Sequence, residues 1–373
     1  MLLRLAVLTL FCLLFGYLGN PLYAQTLDLE DLESEEPSFQ WMPPSYKGET
    51  IIVLPRASYS DIRGFGLGGS LQVRLGQRSP LCQESTLRFK VRKTVQGQTR
   101  IEGVLTVDFA DGRYNMRSKF QFDDLAQRYY GIGPGTPIEN EEIYRPRKKR
   151  AYIELFRRVS PEFKVGARTE YEHTRLLSVE SGGLLEVDPP EGTEGGDVYG
   201  LGFVVDYNNR VSPYQSGIHY QGFAMYFDAR YGNEFDFNVF NLDFRNYFAT
   251  SDRSVFATQL FYYGTAQQPP LWRMAALGGR EHTRGYRTGR NLDRNLLAAQ
   301  GEYRFHAWKR VGLAFFAGVG NVAPELENFR LEDMQVSVGA GIRFSGGAEE
   351  TVIRFDVAYG DEVNFYFKLG EPF

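Results

Sequence analysis

Cysteine is almost absent from this chain: its 373 residues hold two, Cys12 and Cys82. Cys12 falls inside an N-terminal export signal, so the mature chain keeps one thiol and no intrachain disulfide can staple it. Lipidation of Cys12 is not expected, because the apolar run continues past it and no small residue precedes it. Long hydrophobic runs are also missing. After residue 24 no stretch reaches the roughly 18 apolar residues that a spanning helix needs, which excludes helical insertion and leaves the closed β-barrel as the available membrane structure. The four histidines, His173, His219, His282 and His306, are scattered. With no HExxH spacing, no G-x-S-x-G elbow and no cysteine pair, neither an enzyme nor a metal or other cofactor is expected. A phospholipase in a barrel wall would need serine, histidine and an amide aligned outward, whereas His306 falls on the polar phase of its segment. Basic residues are lacking between residues 25 and 39, where Asp28, Glu30, Asp31, Glu33, Glu35 and Glu36 lie. That composition predicts a disordered acidic leader, and no nucleic-acid partner is expected.

Aromatics, by contrast, make up 15% of the chain and glycine supplies 40 residues, in a sequence of mildly polar mean hydropathy. This is the balance expected when each strand shows one face to lipid and the other to water. Arg4, the apolar run Leu5 to Leu18, and Leu22-Tyr23-Ala24 before Gln25 form a secretory signal. The reading divides the chain into a signal peptide (1–24), an acidic periplasmic leader (25–48) and a transmembrane β-barrel (49–373).

Strict alternation supports the barrel. In 334–344, Met334, Val336, Val338, Ala340, Ile342 and Phe344 share one face while Gln335, Ser337 and Arg343 share the other. Ile353, Phe355, Val357 and Tyr359 likewise oppose Arg354 and Asp356, and Val363, Phe365, Phe367 and Leu369 oppose Asn364, Tyr366 and Lys368. A soluble sandwich would alternate in the same way, so length decides. Segments such as 64–76, 84–94, 161–175 and 296–306 exceed the five or six residues usual for soluble strands. Counting back from Phe373 gives segments at 363–371, 351–359, 334–344, 311–319, 296–306, 253–264, 234–248, 219–230, 198–207, 161–175, 147–158, 113–123, 100–109, 84–94, 64–76 and 49–59. The predicted fold is therefore all-β, a 16-stranded antiparallel transmembrane barrel. The longest connections, 124–146, 176–197, 265–295 and 320–333, all fall on one side, and turns such as Ala110-Asp111-Gly112 and Ser160-Pro161 on the other, as a bacterial barrel requires. In 234–248 the apolar phase switches between Val239 and Phe240, which predicts a bulge or a misplaced boundary.

Residues 277–290 read LGGREHTRGYRTGR, where Gly278, Gly279 and Gly285 permit close backbone approach and the arginines demand partners. With GFGLGG at 64–69, YGIGPGTP at 130–137, GLGFVVDYNNR at 200–210, SPYQSG at 212–217, GEYRF at 301–305, FAGVGN at 316–321 and GAGIRF at 339–344, the chain resembles the BamA/TamA superfamily of outer-membrane assembly proteins, the bacterial surface antigen family. The resemblance implies a bacterial outer-membrane location and an Arg284-Gly285-Tyr286 loop folded inward between the eleventh and twelfth strands. It also implies insertion or translocation of proteins or lipids. Two departures stand out. Gly318 occupies the position where many members carry an aspartate in a Phe-x-Asp-x-Gly pattern, and the short leader has no room for the periplasmic transport modules that assembly members carry.

Strand phase gives the loop its partners. Leu297, Ala299, Gly301, Tyr303 and Phe305 take the lipid face, which sends Glu302 and Arg304 inward; a buried Arg284 then needs Glu302 in a bidentate pair, with Asp356 placed to compensate for Gly318. The loop anchor is thus Arg284, Gly285, Tyr286, Glu302 and Asp356. Phe365, Phe367, Leu369 and Phe373 form a terminal-strand signal with an aromatic at the membrane interface. Arg145, Arg147, Lys148, Lys149 and Arg150 lie at an outer rim, either contacting lipopolysaccharide phosphates or forming a solvated strand end. Partners expected are outer-membrane lipids and an envelope protein or client barrels; the alternative function is a structural or pore-type subunit plugged by its loop. If the acidic leader docks a partner that supplies transport modules, deleting residues 25–45 will abolish co-purification, and unchanged pull-downs will refute it.

Overall fold

The computed structural model describes residues 50–75, 85–210, 215–279, 281–345 and 352–369. The signal peptide, the acidic leader, Cys82 and Phe373 lie outside them. The chain begins as a meander of β1 (Thr50–Ser60), β2 (Gly64–Leu75), β3 (Ser85–Thr94), β4 (Thr99–Phe109) and β5 (Tyr114–Asp124). A short β6 (Gln127–Tyr129) pairs with the start of β7 (Glu142–Arg158), followed by β8 (Phe163–Ser178), β9 (Gly196–Asn208), β10 (Gly217–Phe227), β11 (Phe237–Ser251) and β12 (Ser254–Gln267). The next connection contains a ribbon of β13 (Ala275–Leu277) and β14 (Asn291–Asp293). The meander then resumes through β15 (Asn295–Trp308), β16 (Val311–Ala323), β17 (Gln335–Ser345), β18 (Val352–Tyr359) and β19 (Val363–Leu369). Among the described residues, sixteen long strands pair antiparallel in chain order, β5 joining β7 and β12 joining β15.

The sheet is inside-out relative to a soluble core. Its convex face exposes Leu67, Leu201, Phe203, Leu260, Phe315 and Val338, whereas Arg100, Glu154, Arg168, Glu170, Asp243 and Glu302 are buried on the concave face. Such burial is tolerable only where charges pair. Arg100 is bidentate to Asp123 at 2.6 and 2.9 Å. Contacts between non-adjacent strands require curvature: Arg117 on β5 reaches Asp206 on β9 at 3.4 Å. One connection, residues 268–294, touches both β8 and β18, which stand eight places apart in the meander.

Segment 234–248 differs from expectation in an instructive way. The strand starts at Phe237, and its register runs unbroken through Val239↔Thr265 and Phe240↔Gly264; the shift comes later, between Ala249 and Ser251. Apolar residues occur on both faces because Phe237 and Val239 are buried under the long connection in a cluster with Phe227, Trp272, Leu277 and Tyr286, while Phe240 and Leu242 face outward. An interior plug thus needs apolar wall positions, which breaks alternation without a bulge.

Placing a charge on the convex face tests its exposure to lipid. Leu260→Arg, midway along β12, is expected to destabilise the protein by about 2–4 kcal/mol in bilayer-based unfolding. A change of under about 0.5 kcal/mol, normal for a watery surface, would contradict a lipid-facing position.

Candidate lumen anchor

The connection between β12 and β15 is held inside the curved sheet at three places. Its tip carries Gly278, Gly279 and Gly285 at φ +103°, +95° and +111°, conformations that side chains with a Cβ rarely adopt. A Cβ on Gly285 would also lie 2.6 Å from the Tyr359 carbonyl carbon, so the tip approaches β18 more closely than any other residue type permits.

That approach delivers Arg284, which is 1% exposed, to two carboxylates. Its Nη2 donates to Glu302 Oε2 at 2.6 Å and its Nη1 to Asp356 Oδ2 at 2.7 Å. The fork therefore bridges β15 and β18 rather than gripping Glu302 alone. The guanidinium also lies 3.4 Å from the centroid of the Phe316 ring, where cation–π attraction adds to the pairing. The same carboxylates accept from the wall: Arg343 donates to Glu302 at 2.7 Å and Asp356 at 2.5 Å, and Arg304 to Glu302 at 3.0 Å. Arg354 lies 3.4 Å from Asp356. Lysine could not span this arrangement, because its single ammonium lacks the planar fork. At Gly318, a Cβ would meet Ser337 Oγ at 3.1 Å and the His282 carbonyl oxygen at 3.3 Å. Loop backbone thus sits close to the space an aspartate side chain would use, and Asp356 supplies the second carboxylate.

Tyr286 engages β17 and Gly285 the last hairpin, β18–β19. The Tyr286 hydroxyl donates to the Val336 carbonyl at 2.9 Å, Gly285 N–H donates to the Tyr366 hydroxyl at 2.9 Å, and Asn364 donates to the Gly285 carbonyl at 3.2 Å. Arg287 bridges Glu362, beside β19, to Glu141 before β7. Burial acts to raise the Glu141 carboxyl, but hydrogen bonds from Tyr130 and Arg128 and the charges of Arg128 and Arg287 outweigh it and hold it below the usual carboxylate range. YGIGPGTP meets the loop from the other side, Gly133 N–H donating to the Leu292 carbonyl at 2.7 Å.

The third attachment was not visible as a motif. Arg273, 2% exposed, donates to Glu172 at 2.8 Å and pairs with Glu170, both on β8. The available signal was Glu170 and Glu172 in TEYEHT, two carboxylates at period two that share the inward face and require a cation. Because loop and strand lie a hundred residues apart, spacing could not name it.

The remaining predicted residues divide. Phe365 is exposed on the outward face of β19; the side chains of Phe367 and Leu369 lie outside the described residues. The basic run on β7 is split by strand alternation. Lys148 and Arg150 are buried inward, Arg150 pairing with Glu172 at 2.8 Å, and Arg147 and Lys149 point outward. Arg145 and Arg147 both pair with Asp124, at 2.5 and 2.7 Å. The five therefore do not form one lipopolysaccharide-facing patch; the strand period places two of them inside.

Removing one partner from a buried ion pair strands the other. Arg284→Ala is expected to cost about 3–5 kcal/mol of stability, and a double-mutant cycle with Glu302→Gln should show a coupling above about 1 kcal/mol. Additive losses would mean that the two side chains do not interact.

Comparison with known proteins places this architecture. The Omp85 superfamily domain matches residues 65–373. Among solved structures, BamA from Haemophilus ducreyi lacking POTRA domains 1-3 superposes with a TM-score of 0.59 at 13% identity, covering 91% of this chain and 75% of that one. CdiB from Escherichia coli superposes at 0.58 and 10% identity over 91% of this chain and 68% of its own length. CdiB from Acinetobacter baumannii gives 0.53 and 13% identity over 87% and 59%. No curated protein matches the sequence. The inward-held loop, the inside-out sheet and the family match lead to one assignment: the chain belongs to the Omp85 superfamily and is a β-barrel protein of the bacterial outer membrane.

Proposed function

We propose that this protein inserts or translocates polypeptides or lipids at the outer membrane, using the boundary between its first and last strands, with loop 268–294 setting how firmly the last hairpin is held. The observation that carries this reading is the set of contacts between loop tip and last hairpin: Gly285 with Tyr366 and Asn364, and Arg287 with Glu362. The β1–β2 turn is held through Asp61 with Arg128 and through Arg63, which donates to the Ala126 carbonyl at 2.9 Å. Glu141, which accepts from both Arg128 and Arg287, links these two attachments on either side of the boundary. A cavity of about 480 Å³ lies between them, lined by residues that include Arg63, Arg128, Lys148, Trp272, Tyr286 and Phe365. In this reading an envelope partner supplies periplasmic modules, the clients are barrels, and outward Arg147 and Lys149 meet outer-leaflet phosphates.

The second reading is a structural or pore-type subunit whose lumen the loop plugs. It is favoured by the ionic attachment of one loop to opposite walls through Arg273 and Arg284. Depletion followed by outer-membrane proteomics, together with an Arg284→Ala strain, separates the two. Insertion predicts loss of specific outer-membrane proteins, reproduced by Arg284→Ala at normal abundance of the variant. An unchanged proteome after depletion, or loss of the variant barrel alone, favours the structural role.

A further inference from the structure

We propose that the short-turn rim formed by the β11–β12 and β15–β16 hairpins is a binding site for the phosphodiester headgroup of an anionic phospholipid. In a bacterial barrel this rim faces the periplasm, so the lipid belongs to the inner leaflet.

The site is built by a register break. Along β15 the even-numbered residues Gln300, Glu302 and Arg304 face inward and are buried, a phase that would carry Trp308 inward as well. Instead the register shifts between His306 and Trp308, so that Trp308 pairs with Val311, which shares the outward phase of Leu313 and Phe315. One extra residue thus turns the indole to the outer face, where it is 65% exposed. Lys309 follows in a left-handed conformation, φ +49°, and its Nζ sits 4.6 Å from the centroid of the indole. Arg310 and Arg253 are exposed beside it, and the two hairpins are tied together where His306 N–H donates to the Arg253 carbonyl at 2.8 Å. An open depression of about 410 Å³ lies between them, lined by Asp252, Arg253, His306 and Lys309. Among the described residues, Arg253, Lys309 and Arg310 form no salt bridge with a carboxylate.

A lipid is favoured over a soluble anion by what lies above the depression. Phe248, Phe256, Tyr303 and Phe315 pair in register across four strands, and all four are exposed on the outer face. Phe256 stands three residues from Arg253, about 10 Å along the strand. Such a row marks the upper edge of the headgroup zone, with Trp308 and the three cations at phosphate depth. The bulge, the strained lysine and the indole together aim charge at a phosphate whose acyl chains lie on the aromatic row.

The test uses the full-length protein in nanodiscs of phosphatidylethanolamine carrying equal mole fractions of phosphatidylglycerol, with one lipid or the other brominated in its acyl chains. The readout is the tryptophan quenching lost in Trp308→Phe. Brominated phosphatidylglycerol should quench Trp308 about fivefold more than brominated phosphatidylethanolamine, the effect of roughly one basic residue at an anionic surface. The preference should fall to parity in Arg253→Gln/Lys309→Gln/Arg310→Gln and resist added inorganic phosphate. Equal quenching by both lipids in the unmodified protein would overturn the proposal, as would absence of quenching or displacement by phosphate, which would indicate a protein-covered rim or a soluble-anion site.

Discussion

The structure depends on burying a guanidinium between carboxylates from two different strands. Arg284 can lie inside the barrel because Glu302 and Asp356 meet its fork at 2.6 and 2.7 Å. Buried ion pairs seldom add much net stability, since desolvation offsets their attraction, but an unmatched buried charge is strongly disfavoured. The interaction therefore works by selection: the loop has one position in which its arginines are satisfied, and alternative positions leave carboxylates on β8, β15 and β18 without it. Arg273 and Arg284 impose that condition at opposite walls, and the apolar cluster around Trp272 and Tyr286 fills the space between them.

Much of this was legible in the sequence because a strand's period of two is unambiguous where lipid covers one face. The phase of 296–306 and 351–359 placed Glu302, Arg304, Arg354 and Asp356 inward, and the structure has all four buried. Phase failed where the interior is not aqueous. Phe237 and Val239 look like lipid-facing residues but serve as floor for the folded-in loop. It was not applied to the run from Arg145 to Arg150, where composition suggested a single patch at an outer rim and alternation divides it between faces. Arg273 was hidden for another reason: its partners lie across the lumen, and no local pattern encodes a contact between strands that never pair.

The same physics connects site to function. The loop tip reaches the last hairpin through backbone groups of Gly285 and through Arg287, which also joins Glu362 to Glu141. Ionic contacts hold the loop at its base, through Arg273, and at the last hairpin, through Arg284 and Arg287; neutral hydrogen bonds between Gly285 and β19 add to the second attachment. At the opposite rim, the bulge before Trp308 uses one unpaired residue to redirect a side chain from lumen to membrane. In both places a small backbone irregularity, positive-φ glycine or bulge, positions a side chain, Arg284 in one and Trp308 in the other, that the regular sheet would have misdirected.

The central claim, that ionic attachment at both walls holds the loop inside, is tested most directly by amide hydrogen exchange of residues 275–292 in the intact protein and in Arg273→Ala, Arg284→Ala and the double variant. The account predicts slow exchange in the intact protein, faster exchange throughout the segment in either single variant, and rapid exchange in the double. Protection that survives loss of both arginines would show that packing alone holds the loop, and would contradict it.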